Sequence, residues 1–133
     1  MPSLVVDTHA AIWYFLKSPR LSSVASAALD QATQSDENIY LSAISLVEVI
    51  YLAEKGRLSK DAVERLLQAV SSLETGWIVA PLDSGVAQAV ARVQRADIPD
   101  MPDRIIAATA LHLDLPLVTR DEKIRASGLR TIW

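Results

Sequence analysis

Four carboxylates occupy places where their neighbours give them no evident work. Asp7 directly follows the apolar run Leu4, Val5, Val6, Glu48 interrupts the apolar stretch SAISLVEVIYLA, Asp103 opens PDRIIAATALHL, and Asp121 follows Leu117, Val118, Thr119 and Arg120. Acids in such settings can hold a hard divalent cation, and a cation so held can activate water and shield a phosphate during hydrolysis of a phosphodiester. Each acid also has an ordinary reading. Asp7 can cap a helix starting at Thr8 or His9. Asp103 can sit at a helix start, with Asp100 three residues before it in the spacing of a capping box. Asp121 can be a turn residue.

Glu48 is the strongest anomaly. It is the only charged residue from Ile39 through Ala53, and its helical neighbours Ile44, Ser45, Tyr51 and Leu52 include no base, so no salt bridge forms within the helix. An apolar character nearly all round predicts a helix buried on most sides. A carboxylate there must protonate, meet a cation from elsewhere or bind a metal. The alternative is that Glu48 lies on an exposed strip.

Other chemistries are thinly supplied. With no cysteine there is no disulfide, no thiolate zinc site and no cysteine nucleophile. His9 and His112 are assigned structural roles, because activation of water by a metal makes a general base unnecessary. Trp13, Tyr14 and Phe15 read as core or interface residues rather than a platform for stacked bases. The formal charge of −3 argues only weakly against a nucleic-acid substrate, since setting aside four gathered acids turns −3 into +1.

These acids need a scaffold that brings distant segments together. At 133 residues, 50% hydrophobic and 22% charged, the chain supports one globular domain, residues 1–133. Apolar runs at 4–6, 39–41, 78–80, 117–119 and 131–133 alternate with helical periodicity. That alternation predicts an α/β fold, a single-domain three-layer α/β/α sandwich around a central, mostly parallel sheet. Gly56 followed by Ser59 predicts a helical hairpin over 43–55 and 60–73. Asp83 or Ser84 caps a helix through Val86, Val90 and Val93, and residues 97–102 form a loop before a helix starting near Pro102 or Asp103. No apolar run is long enough to span a membrane, and MPSLVVDTHA reaches an aspartate too early for a signal peptide, so a cytoplasmic protein is expected.

In a doubly wound sheet the carboxyl ends of the first and fourth strands can be neighbours, and the helices carrying Glu48 and Asp103 begin at that edge. Four carboxylates then converge. At about 4 Å and an effective dielectric of about 20, each like-charged pair costs roughly 4 kcal/mol, on the order of 20 kcal/mol for all six pairs. A divalent cation removes that repulsion, and an all-oxygen donor set selects Mg²⁺ or Mn²⁺ over zinc.

The segments LVVDTHAAIWYF, SLVEVIYLAEKGRL, PDRIIAATAL and LVTRDEKI closely resemble the four acidic motifs of PIN-domain ribonucleases, particularly the VapC-type toxins of bacterial type II toxin-antitoxin modules. The resemblance runs in order from Leu4 to about Ile124. It implies a PIN-like fold, an RNA substrate, a Mg²⁺ or Mn²⁺ cofactor, a cognate antitoxin and a homodimer. Asp7, Glu48, Asp103 and Asp121 would be the catalytic, metal-binding quartet, supported by the hydroxyls of Thr8 and Thr119. Asp100 lies beside the third motif without being its usual acid. Arg104, Arg120 and Lys123 can hold flanking phosphates, or be solvated surface charges. Trp13, Tyr14, Phe15, Leu46 and Ile50 could line a groove for an antitoxin helix. Two rival readings remain: a catalytically inactive PIN-like module that binds protein or RNA, and a phosphoacceptor receiver-type domain. The latter needs an acid at the end of its third strand, where this chain has Ala80 and Pro81.

Overall fold

The computed structural model describes residues 3–133. Its organising strand is β1 (Leu4–Val6), whose three apolar side chains are all buried. A strand with no polar face is stable only between two covering layers, and burying each of these side chains contributes roughly 1.5–3 kcal/mol. β1 is accordingly central. With β2 (Ile39–Ser42), β3 (Trp77–Ala80), β4 (Leu117–Val118) and β5 (Thr131–Ile132) it forms a sheet of order β3-β2-β1-β4-β5. Every pairing is parallel, with Val6 beside Leu41 on one side and Val118 on the other.

The helices α1 (Thr8–Phe15), α2 (Ser23–Gln34), α3 (Ala43–Glu54), α4 (Lys60–Ser71), α5 (Ser84–Ala89), α6 (Met101–Leu113) and α7 (Glu122–Arg125) complete the chain. Strand alternation sends Leu4, Val6, Ile39, Leu41 and Val118 into one core, with side chains of α1, α2, α3 and α4. Val5 and Leu117 enter a second core with residues of α5, α6 and α7. The result is the expected three-layer sandwich, fully rather than mostly parallel.

Local boundaries differ from expectation in instructive ways. α6 starts at Met101, because Asp100 is its N-cap and accepts a hydrogen bond from the Asp103 amide at 3.1 Å. α5 stops at Ala89, and a 3₁₀ turn over Val90–Arg92 follows instead of a continuous helix to Val93. The helical hairpin forms as expected, with Gly56 at φ +71° after α3 and Ser59 capping α4. α2 has no counterpart among the expected elements. Its buried stripe is Ala25, Ala28, Leu29 and Ala32, and a stripe made mostly of alanine carries little hydrophobic contrast. α3 is not buried on most sides: Ser45 and Val49 are its buried residues, while Val47, Ile50 and Tyr51 are 47%, 46% and 59% exposed. Among the described residues, no helix is long and apolar enough to cross a membrane.

Candidate active site

Strand order reverses direction at β1, so a crevice opens between the carboxyl ends of β1 and β4. Asp7 leaves β1 there and remains tied to its neighbour, its amide donating to the Val118 carbonyl at 3.0 Å. Its carboxylate caps α1, Oδ1 accepting from the Ala10 amide at 2.8 Å. Asp121 does the same for α7, accepting from the Ile124 amide at 3.0 Å. Thr119 joins the two acids. Its buried hydroxyl accepts from the Asp121 amide at 3.0 Å, and its side chain lies close enough to Asp7 to favour that acid's ionised form. Burial pushes the Asp7 carboxyl above the usual range, against the opposing help of Thr119, Ala10 and His9, while Asp121 adds to the rise.

Glu48 arrives on the second turn of α3, whose N-cap Ser42 is also the last residue of β2. Thr8 Oγ1 lies 2.6 Å from Glu48 Oε1 and 2.8 Å from Ser45 Oγ. An ionised carboxylate only accepts, so the single hydroxyl hydrogen of Thr8 goes to Glu48 and Ser45 donates to Thr8. Both hydroxyl residues are buried, which fixes the carboxylate to the β1–α1 junction.

Asp103 sits in the first turn of α6. Among the described residues its carboxylate accepts no hydrogen bond, although its amide is used by Asp100. Its carboxyl is pushed up from an ordinary 3.8 to about 7, first by burial and then by Asp100, Asp121, Glu48 and Asp7. Four other acids thus act on one carboxyl group.

Asp7, Glu48, Asp103 and Asp121 line one cavity of about 230 Å³, together with Thr8, His9, Trp13 and Arg120. The capping and site readings of Asp7 and Asp121 are therefore compatible: one carboxylate both closes a helix end and faces the cavity. Among the described residues, no three acid or histidine side chains close into a ready-made chelate. The donor chemistry of the four acids nonetheless suits a hard divalent cation, being carboxylate oxygen throughout with one carboxyl already driven toward protonation by burial and by its acidic neighbours.

Of the three basic candidates, only Arg120 lines this cavity. The Arg104 Nε donates to the Val93 carbonyl at 2.9 Å. Lys123 lines an adjoining cavity of about 340 Å³ with Asp100, Asp103, Asp121 and Glu122. His9, assigned a structural role from sequence, is exposed and belongs to the acid cavity wall. Ser45 was not singled out from sequence, although its position three residues before Glu48 places both on one helix face. The five residues expected to form one apolar groove separate. Trp13, Tyr14 and Phe15 line a cavity of about 770 Å³ with residues of α2 and α4, Leu46 packs against the core, and Ile50 is exposed.

Comparison with known proteins places the fold in a family. The chain matches the PIN domain family over residues 4–128. It is 33% identical over 128 residues to Ribonuclease VapC22 of Mycobacterium tuberculosis, covering 95% of this chain and 92% of that protein. Its fold is similar to a toxin-antitoxin complex from Klebsiella pneumoniae, with TM-score 0.70 and 23% identity over 98% of this chain and 96% of that one. FitAcB from Neisseria gonorrhoeae aligns with TM-score 0.64 and 26% identity, covering 96% of this chain and 95% of that chain.

Proposed function

The chain belongs to the PIN-domain family, in its VapC-type branch, and from that premise we propose that it is a Mg²⁺- or Mn²⁺-dependent endoribonuclease, the toxin of a toxin-antitoxin pair acting in the cytoplasm. The observation that carries the reading is the sharing of one cavity by Asp7, Glu48, Asp103 and Asp121 at the switch point of the sheet. Asp7 and Asp103 would hold the cation, with Glu48 and Asp121 completing its surroundings or a second site. When bound, the ion supplies a water acidic enough to attack phosphorus at neutral pH and offsets the phosphate charge. With water attacking in line and the ribose 3′-oxygen leaving, such hydrolysis would give a 5′-phosphate and a 3′-hydroxyl and no cyclic phosphate.

The chain's own residues prepare for this. The Ala10 amide holds Asp7 in one orientation, with Thr119 favouring its charged form, and Thr8 holds Glu48. The Asp103 carboxylate accepts no hydrogen bond among the described residues, so it can turn to a ligand without breaking one. Burial at the foot of the cavity strengthens every interaction made there.

The Klebsiella structure of similar fold is a toxin-antitoxin complex. For this chain the antitoxin would place an amphipathic helix in the cavity walled by Tyr14, Phe15, Leu21 and Ala69, whose edge carries Lys17, Asp30 and Arg65. The homodimer would use the exposed apolar face of α3, Val47, Ile50 and Tyr51, with Met101 beside it. The decisive experiment is cleavage of structured RNA by the partner-free chain. Cutting should require Mg²⁺ or Mn²⁺ and disappear in Asp7→Asn with the fold retained; cutting that persists in excess chelator rejects the mechanism.

A further inference from the structure

The four acids leave one feature of their cavity unexplained. Arg120 follows Thr119, and its guanidinium carbon lies 4.6 Å from the centroid of the Trp13 ring. Both residues line the cavity with the four carboxylates, yet among the described residues Arg120 makes an ion pair with none of them. An arginine close to four acids has strong reason to pair with one. Here the aromatic face holds it instead, in a cation–π contact. The ring is itself held: Trp13 is only 8% exposed, with His9 at 5.7 Å and Trp133 at 6.0 Å between centroids. Trp13 is too deeply buried to stack a nucleic-acid base. It serves as the backing on which the exposed Arg120 is laid.

Two consequences follow from this geometry. The carboxylates stay free for a cation, and the guanidinium keeps its fork of N–H donors for an anion. A cavity wall carrying free acids and a separately anchored guanidinium suits a ligand with several phosphates, one met through the cation and the next by the arginine. Arg104 is committed to the Val93 carbonyl and Lys123 faces the adjoining cavity, so neither duplicates this position.

We propose that Arg120 grips the backbone phosphate adjacent to the scissile one, and that Trp13 is its positioning residue. The proposal rests on the ribonuclease reading above. Arg120→Ala should raise KM about tenfold while changing kcat by less than about threefold. It should also flatten the dependence of log kcat/KM on log salt by about one unit, the signature of one lost phosphate contact. Arg120→Lys keeps the charge without the fork, so it should preserve the salt slope and recover only part of the KM loss. Trp13→Leu should reproduce the KM rise with Arg120 still present, and Trp13→Phe, which keeps a smaller ring, should fall between. Because Arg120 is exposed, its alanine variant carries the test even where Trp13→Leu impairs folding.

Binding gives a second readout. A fluorescent single-stranded RNA should bind the Asp7→Asn chain, which does not cut it, about tenfold more tightly than the Asp7→Asn/Arg120→Ala chain. Wild-type cleavage with KM, salt slope and binding unchanged by Arg120→Ala overturns this proposal alone. A wild-type chain that neither binds nor cuts RNA overturns the ribonuclease reading and this proposal together.

Discussion

α3 and α6 each deliver one acid to the cavity, and they do so in opposite ways. α6 buries an unbroken run from Ile105 to Ala110 between the sheet and the flanking helices α3 and α5, so its first turn is held by the core. α3 buries Ser45 and Val49 and leaves Val47, Ile50 and Tyr51 exposed. The acids differ to match. Asp103, on the firmly seated helix, accepts no hydrogen bond among the described residues and is driven to about 7. Glu48, on the loosely seated helix, is pinned by Thr8 and through it by Ser45. Where packing fixes the backbone, the side chain can be left free for a ligand; where packing is weaker, a hydrogen-bond chain does the fixing.

The largest effect that would sharpen this contrast is on catalysis. Asp103→Asn should reduce RNA cleavage by at least about a thousandfold, since the only carboxylate without other duties is lost. Retention of more than about a tenth of the activity would break the assignment.

The same substitution should have the reverse effect on folding in excess chelator. The folded-state carboxyl of Asp103 lies above its ordinary 3.8, at about 7, so its stabilising share is present at acidic pH and is lost as pH rises through that interval. Asp103→Asn removes this loss. At pH 8 it should gain on the order of 1 kcal/mol by urea unfolding, a figure reduced for solvent screening because the group is only half-buried. Mg²⁺ should cancel the advantage. Equal stability of the two chains at pH 5 and pH 8 in chelator would contradict the electrostatic account.

For Glu48, Thr8→Val should lower kcat about tenfold, whereas Thr8→Ser, which keeps the hydroxyl, should restore most of it. An unaffected Thr8→Val enzyme would mean that the hydrogen-bond chain does not position Glu48. The smallest expected change in stability comes from Tyr51→Glu on the open face of α3: within about 0.5 kcal/mol of wild type by thermal unfolding, yet monomeric by light scattering. A variant that keeps the wild-type oligomeric state would move the dimer face elsewhere.

What could be read in advance divides along the same line. β1 was legible because Leu4, Val5 and Val6 admit only a doubly covered strand, and a parallel α/β sheet then follows from the alternation around it. That four distant acids would share a cavity was legible because each stood out from its local surroundings. α2 was missed because an alanine-rich stripe gives weak periodicity. The exposure of α3 was missed for a deeper reason: an apolar face looks the same in sequence whether its cover lies within the chain or on another molecule. The place of His9 on the cavity wall was not legible, because it depends on how α1 leaves the strand.

The central claim is that these four carboxylates share a divalent cation, and calorimetric titration with Mn²⁺ tests it without invoking any substrate. Wild type should show saturable binding that Asp7→Asn and Asp103→Asn each remove, with both variants folded by circular dichroism. Binding of equal affinity in wild type and both variants, or no binding by wild type, would contradict it.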